Sequence, residues 1–495
     1  MTFQLPDDCL NEILECLEED KITLRSCLLV NRLWCKLTVK ILWRNIWSFK
    51  YVFPYQQFEQ HRLKIESSIL STLISCLPNE SKEILHKNEI PISTPTSNSP
   101  IFNYASFCKI LPICEIVEVI ESVLKSKTNE NETSITSNGK IRLVAEEIIK
   151  MFTNQIYSLK KLSIPNNTFT CIPETTDNFK NLSELRCCSD LHSNLSQSCH
   201  NLRTLTIDLR RVVSNELKEL ISSQNKLKNL NLVAYDGNDW TNLIPVLTKK
   251  RFNTLTTLHL YSDNDLSLSF VSSFINLQEF KYSFIHGNFL NNFWVLQHVS
   301  LPKLQILKMI PFQSPRPEYV VKFLENNGKN LKEFHIAEID NALNLSIPKF
   351  CPKLEKLFTV FDQDELYILK NIFKTCQNLE SIKIWSGERY LSEKQVLETV
   401  ATCSPKNFYE LKIYNDSDSE VTPEDLESFF TTWKNRTPLK SLNLIIIKDY
   451  NFNSLEVNKE NMKIIEKYTD LGIIEKFETI MFCDDEEEEA EEDEF

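Results

Sequence analysis

The chain has 495 residues, 42% hydrophobic and 25% charged, a composition typical of a folded protein with no need of a membrane. Ten acidic residues lie between positions 484 and 494, so the remainder carries only −13 + 10 = −3, which disfavours a nucleic-acid-binding body. No apolar run approaches the ~20 residues that span a bilayer, the first 20 residues lack a basic leader, and fifteen scattered cysteines fit reduced thiols in the cytoplasm or nucleus.

The first 48 residues predict a small helical unit. Leu10, Ile13 and Leu14 recur with helical spacing. Thr23 is placed to cap a second helix, and a third helix follows that carries Trp34. Three short helices form only a modest core, so such a unit commonly relies on a partner for further burial.

Residues 49–150 are less regular and predict a helical linker that also forms the entry cap of the repeats behind it. Two segments, 58–77 and 107–124, show a helical pattern. Between them, residues 91–100 are rich in Pro, Ser and Thr, which predicts a loop. A second polar stretch, 127–140, predicts a flexible segment.

An internal repeat occupies residues 151–482. The pattern Leu-x-x-Leu-x-Ile/Leu occurs twelve times, beginning at positions 159, 182, 202, 227, 255, 277, 304, 331, 354, 379, 408 and 439. Eleven steps cover 280 residues, so the mean period is about 25, within the range of leucine-rich repeats. The second and third apolar residues of each copy point to one face of a strand, which therefore lines a buried core.

Between the predicted strands, the hydrophobic period changes to that of a helix. Thr422 followed by Pro423 predicts a helix start, Ser392 begins a capping box, and Pro317 opens a helix that Gly328 closes. A strand and a helix in each repeat predict a curved α/β solenoid, held together because neighbouring repeats bury each other's apolar faces.

Residues 483–495 form an acidic tail. A run of like charges is usually solvated and disordered, which is the interpretation we favour. The alternative is that the tail binds basic residues of the repeats in competition with a substrate. Deleting the tail would then raise substrate affinity, most clearly at low salt.

Two segments of the N-terminal unit resemble the F-box. Residues 5–14 read LPDDCLNEIL, residues 27–34 read CLLVNRLW, and residues 41–44 read ILWR. With the repeats behind it, the chain resembles the F-box/leucine-rich-repeat proteins. The resemblance covers about 45 residues of the F-box and about 290 residues of the repeats.

This resemblance implies a substrate-recognition adaptor of an SCF-type ubiquitin ligase, in which the F-box docks onto the cullin-linked adaptor protein and the repeats bind a protein substrate. The docking residues that it implies are Leu5, Pro6, Ile13, Leu28, Val30 and Trp34, of which Trp34 fits a core position equally well. One alternative is an ordinary three-helix domain whose apolar residues are all internal. Another is a leucine-rich-repeat scaffold that acts independently of a cullin ligase.

The concave face of the solenoid is the expected substrate site, because strand positions between the buried ones point there. The central position of the twelve copies holds five basic residues, two histidines and no acid. We predict an acidic or phosphorylated protein substrate, bound by His259, Tyr261, Lys281, Lys308, His335, Lys383, Trp385, Lys412 and Tyr414. The opposing interpretation is that Glu279, Glu333 and Glu410, two residues earlier on the same face, neutralise this column.

Patterns of catalytic or cofactor-binding residues are absent from the sequence. The six glycines are too far apart for a phosphate-binding loop. Cys9, Cys16, Cys27 and Cys35 match no zinc spacing, and a role in the helical core is expected for them. We expect a non-enzymatic protein without a cofactor or a metal.

Overall fold

The computed structural model describes residues 5–50, 59–90, 100–126, 134–164, 179–191, 194–210, 212–250, 252–284, 291–310 and 315–482. The chain divides into two compact units, Met1–Leu227 and Lys228–Phe495, at a boundary inside the predicted repeats. In each unit, parallel strands follow one another in chain order and alternate with helices or short 3-10 turns. The α/β prediction is therefore confirmed. None of the helices in the described part is both long and apolar enough to cross a membrane.

The first unit begins with α1 (Asp7–Glu15), α2 (Lys21–Cys27), α3 (Arg32–Leu42) and a 3-10 helix (Trp43–Lys50). Leu10 and Leu14 are buried as predicted, whereas Ile13 of the same stripe is half-exposed. The predicted cap of α2 was wrong. Asp20 caps this helix, because its carboxylate accepts a hydrogen bond from the Thr23 backbone N–H at 2.9 Å.

Four longer helices follow in the first unit, namely α4 (Glu59–Cys76), α5 (Asn79–Lys87), α6 (Ile113–Lys125) and α7 (Ser134–Gln155). The helix predicted at 58–77 is confirmed, and the helix predicted at 107–124 begins only at Ile113. The loop predicted at 91–100 lies outside the described residues except for its last one. The flexible stretch predicted at 127–140 was wrong from residue 134 onward, because α7 buries Val144, Ile148 and Phe152 completely and continues toward its N-terminus.

Four parallel strands belong to the first unit: β1 (Ile110–Pro112), β2 (Lys161–Ser163), β3 (Glu184–Cys188) and β4 (Thr204–Asp208). The unit ends with α8 (Asn215–Ser223). Leu111, Leu162, Leu185 and Leu205 are in register from strand to strand. The strand β1 precedes the first copy of the repeat motif, so it was not predicted as a strand.

The second unit contains ten parallel strands: β5 (Asn229–Ala234), β6 (Thr257–Ser262), β7 (Glu279–Phe284), β8 (Ile306–Ile310), β9 (Glu333–Ile336), β10 (Lys356–Phe358), β11 (Ser381–Ser386), β12 (Glu410–Asn415), β13 (Leu442–Lys448) and β14 (Ile474–Met481). Its helices are α9 (Ile244–Lys250), α10 (Pro317–Asn327), α11 (Asn341–Phe350), α12 (Leu366–Thr375), α13 (Glu393–Cys403), α14 (Pro423–Lys434) and α15 (Lys459–Asp470). The capping boxes predicted at Ser392 and Thr422 are both present.

The helix α10 ends at Gly328 as predicted, but Gly328 is not a left-handed cap. Its φ of −67° is helical, and a short 3-10 helix continues from it. The position needs glycine for a different reason. A Cβ atom there would lie 2.8 Å from the Cys351 sulfur and 2.9 Å from the Phe350 carbonyl oxygen. The missing side chain therefore allows close packing of one repeat on the next.

The last predicted copy of the repeat motif is displaced by two residues. Strand pairing places Leu411 opposite Leu444 and Ile413 opposite Ile446. The first position of this copy is therefore Ser441, and the predicted Leu439 is 44% exposed. The connection from α14 to β13 is two residues longer than the predicted alignment of this copy assumes. The spacing of leucines in the sequence therefore gave the wrong first position. As a result, Ile445 and not Asn443 continues the central column on this strand.

Candidate protein-interaction surfaces

Large apolar side chains are exposed on the N-terminal helices and on the short segments next to them. Of the eighteen exposed large apolar residues in the described part of the chain, five lie between residues 5 and 30. These five, termed here the N-terminal patch, are Leu5, Ile13, Ile22, Leu29 and Val30, with exposures of 49–88%. Such a concentration in a short segment is typical of a surface that a partner covers.

The predicted docking residues divide into two groups. Leu5, Pro6, Ile13 and Val30 are exposed, whereas Leu28 and Trp34 are only partly accessible. The sequence reasoning missed Ile22 and Leu29. Ile22 lies outside the buried stripe of α2, and this position would have predicted its exposure. The stripe can be recognised only if Asp20 is taken as the cap of the helix.

An ion-pair cluster holds α1 against the end of α3. The Arg44 guanidinium donates to both carboxylate oxygens of Glu15 and lies 3.3 Å from Glu18. The hydrogen bond from Arg44 is the main reason that the pKa of Glu15 is lowered. The Arg44 carbonyl also accepts from the Lys109 N–H at 2.9 Å, next to β1. The three helices are therefore anchored in the first unit, which gives the N-terminal patch a fixed support.

The four N-terminal cysteines differ in their exposure. Cys27 is buried and Cys35 is half-buried, but Cys9 and Cys16 are exposed, so the predicted core role was wrong for these two. They lie on the outer side of α1 and just after it, away from Leu10 and Leu14. Within the described ranges, no group of three or more His, Cys, Asp or Glu side chains is arranged to bind a metal ion.

Strand pairing in the second unit brings the predicted substrate-binding residues into one row, termed here the basic column. From β6 to β12, each central residue is in register with the next, and the row reads His259, Lys281, Lys308, His335, Phe358, Lys383 and Lys412. Tyr261, Trp385 and Tyr414 lie two residues further along their strands and on the same face. The sequence therefore placed these residues on one surface.

The predicted substrate-binding residues in and beside the basic column differ in their access to solvent. Tyr261, Lys308, His335, Trp385 and Lys412 are partly accessible, whereas His259, Lys281, Lys383 and Tyr414 are buried. The Lys281 ammonium lies 5.8 Å from the Tyr261 ring centroid, and the Lys383 ammonium 4.8 Å from that of Phe358. Buried ammonium groups over aromatic rings stabilise the fold, so a substrate would contact mainly the five accessible residues.

Three glutamates beside the column were the basis of the opposing interpretation, in which they pair with the column residues. Two of the three do so. Glu279 binds His259 at 2.9 Å, and Glu333 binds both Lys308 at 3.1 Å and His335 at 3.0 Å. Glu410 instead accepts a hydrogen bond from Ser381 at 2.6 Å. Lys412 has no ion-pair or hydrogen-bond partner among the residues that the structure describes. Glu333 thus neutralises Lys308, whereas the Lys412 ammonium on β12 pairs with no acid among the described residues.

Glu333 contributes pH-dependent stability. Burial alone would raise the pKa of its carboxyl group, but the hydrogen bonds and charges of His335 and Lys308 outweigh burial and lower the pKa from 4.5 to about 2. Because the folded-state pKa is the lower one, this stability is complete above pH 4.5 and is lost as the pH falls toward 2.

We therefore expect Glu333→Gln to lower the free energy of unfolding at pH 7 by on the order of 3 kcal/mol. Between pH 4.5 and 2, the variant should lose less stability than the wild type does. Urea unfolding at several pH values measures both effects. Glu410→Gln is the control, since Glu410 binds a hydroxyl and no cation, and an equal loss in both variants would contradict the assignment.

Aromatic side chains continue along the same face toward the end of the second unit. Phe358, Trp385 and Tyr414 follow one another with ring centroids 6.3 and 5.0 Å apart, and Phe482 packs on Tyr414 at 4.7 Å. Burial is the main reason that the pKa of Tyr414 is raised to about 12, so its hydroxyl is neutral. Trp385 and Lys412 together offer an accessible apolar surface beside a cation.

No family model matches the chain, and no curated protein is similar enough to match it. Among solved structures, the chain is similar to the crystal structure of a complex of Rad7 and Elc1 in yeast, with 12% sequence identity and a TM-score of 0.36. The similarity covers 68% of this chain and 88% of that chain. At this identity and score, the likeness carries no argument about partners or activity.

Proposed function

We propose that this chain is a non-enzymatic substrate-recognition adaptor of an SCF-type ubiquitin ligase. In this proposal the N-terminal helices act as an F-box and bind the cullin-linked adaptor protein, while the repeats of the second unit bind a protein substrate. The ligation chemistry takes place on other subunits, and the chain acts by holding the substrate near them. The proposed site of action is the cytoplasm or the nucleus.

The N-terminal patch is the observation that carries this proposal. Fully burying one Leu, Ile or Val side chain contributes about 1.5–3 kcal/mol, so a partner that covers these five residues gains apolar burial that offsets part of the cost of association. The exposed residues Leu5, Ile13 and Val30 fall within the two segments that resemble the F-box. An ordinary three-helix domain with internal apolar residues would not expose them.

The accessible end of the basic column supports the substrate half of the proposal. Lys412 is a half-buried cation without a described partner, and Trp385 on the neighbouring strand offers an aromatic surface. A phosphate or carboxylate of the substrate would form a charge-assisted hydrogen bond with such an ammonium group. The substrate that we propose is therefore a protein segment that is acidic or phosphorylated.

Reversing the charge of Lys412 tests this half of the proposal. We expect Lys412→Glu to weaken capture of an acidic substrate roughly tenfold or more, because an attractive pair becomes a repulsive one. The control is Lys406→Glu, an exposed lysine in the connection before β12. Affinity capture with phosphatase-treated and untreated lysate, read by quantitative mass spectrometry, measures the effect. Unchanged capture by the Lys412 variant would contradict the role of the basic column.

The second candidate function is a repeat scaffold that binds protein partners without a cullin ligase. The ion pairs of Glu279 and Glu333 favour it in one respect, since they show that part of the column serves stability. Co-purification separates the candidates, because only the first predicts the cullin-linked adaptor and the cullin among the captured proteins.

A further inference from the structure

The last strand of the second unit has one edge that no described residue covers by strand pairing. β14 pairs with β13 on one side, and none of the described residues pairs with its other side. At eight residues, it is the longest strand in the described part of the chain. All its side chains except Ile474 are exposed or half-buried. An edge of this length presents unpaired backbone donors and acceptors, to which another strand can add.

The charges of β14 indicate which strand fits this edge. Lys476 and Glu478 point to one face, the face of Ile445 and Ile447 on β13, and Phe477 points to the other. Within one copy, the Lys476 ammonium lies 2.5 Å from the Glu478 carboxylate, and both side chains are substantially exposed. A strand with two opposite charges two residues apart is complementary to a second copy of itself running in the opposite direction.

Pairing of two copies around a two-fold axis allows few registers. Side chains directly opposite each other in an antiparallel pair share a face, so the axis must coincide with a residue. With the axis at Phe477, Lys476 of each copy lies opposite Glu478 of the other. With the axis at Lys476 or at Glu478, two lysines or two glutamates would be opposed, which is destabilising.

The regular part of β14 fixes the central pairs of the Phe477 register. A register shift between Ile474 and Lys476 interrupts the alternation before that point, so the pairs that this register sets are Lys476 with Glu478 on each side and the two Phe477 rings at the centre. Opposite charges and aromatic pairs in such positions are favourable. Charges on edge strands often prevent association by repelling a second copy, but the alternating signs here attract it.

We propose that two copies of this chain form a dimer through antiparallel pairing of β14, with Phe477 on the two-fold axis. The proposal is independent of the ligase function. In this register the two Phe482 residues are separated by ten residues along the strands, or about 33 Å.

A charge-swap experiment tests the dimer. Sedimentation velocity of the full chain across a wide concentration range should show a reversible dimer. Lys476→Glu and Glu478→Lys should each raise the dissociation constant roughly tenfold, because like charges become opposed in both symmetry-related pairs. An equimolar mixture of the two variants should recover a heterodimer with near wild-type affinity, because opposite charges face each other again. Lys406→Glu is the control and should dimerise normally.

The mixture distinguishes pairing from misfolding, since two damaged chains would not restore each other. Three results would overturn the proposal. These are a full chain that is monomeric at all concentrations, single variants that dimerise as well as the wild type, and a mixture of variants that stays monomeric.

Discussion

Replacing Ile13 and Leu29 by aspartate should abolish binding of the cullin-linked adaptor, with a loss of at least about a hundredfold in affinity. Both side chains are exposed, Ile13 by 49% and Leu29 by 88%, so the substitutions leave the core of the helical unit intact. In a complex, each aspartate would place an unpaired charge in an apolar interface, which costs several kcal/mol. Calorimetry or surface plasmon resonance with the purified adaptor measures this loss.

The control for this experiment is Val457→Asp, which puts the same charge on a side chain that is 61% exposed in the second unit. It should bind the adaptor like the wild type. Circular dichroism and thermal unfolding of the Ile13/Leu29 variant should match those of the wild type. Normal adaptor binding by a well-folded Ile13/Leu29 variant would refute the role of the N-terminal patch.

Replacing Trp433 by alanine should cost about 3–5 kcal/mol of stability, the largest effect expected for one substitution in the second unit. Trp433 is completely buried. Its indole N–H donates to the Lys440 carbonyl at 2.9 Å, and the Arg436 guanidinium lies 4.1 Å from its ring centroid. The substitution removes this packing and leaves a cavity beside the rings of Phe408 and Phe429.

The damage should be local, because each repeat contacts mainly its neighbours. Hydrogen exchange of the Trp433 variant should increase most in β12, β13, α14 and α15, and little near β5. Lys434→Ala, at the exposed neighbouring position in α14, is the control and should change the free energy of unfolding by less than about 0.5 kcal/mol. A uniform increase in exchange across the second unit would contradict a stack of nearest-neighbour repeats.

The repeat strands were predictable from sequence because their signal is local. Residues two apart on a strand share a face, and pairs such as Leu230 and Leu232 are completely buried. The last copy was misplaced because its register depends on the length of the α14–β13 connection. Leu439 has the spacing expected of the first leucine of the motif. Leu444 pairs with Leu411, however, so the first position is two residues after Leu439.

The candidate sites were predictable only in part. Sequence placed Lys308, His335 and Glu333 on one face, but it did not show that Glu333 would bind both other side chains. That contact depends on two strands being adjacent and in register. The exposure of Ile22 and Leu29 depends on where α2 and α3 begin, at the caps Asp20 and Asn31, and on how three short helices pack.

One capture experiment tests the central claim that the chain carries two separate binding surfaces. The wild type, the Ile13/Leu29 double aspartate variant and Lys412→Glu are each used to capture proteins from cells, and the captured proteins are quantified by mass spectrometry. We expect the first variant to lose the cullin-linked adaptor and the cullin while it retains acidic partners, and the second to do the reverse. The account would be contradicted if the wild type captured no cullin, or if both variants lost the same proteins.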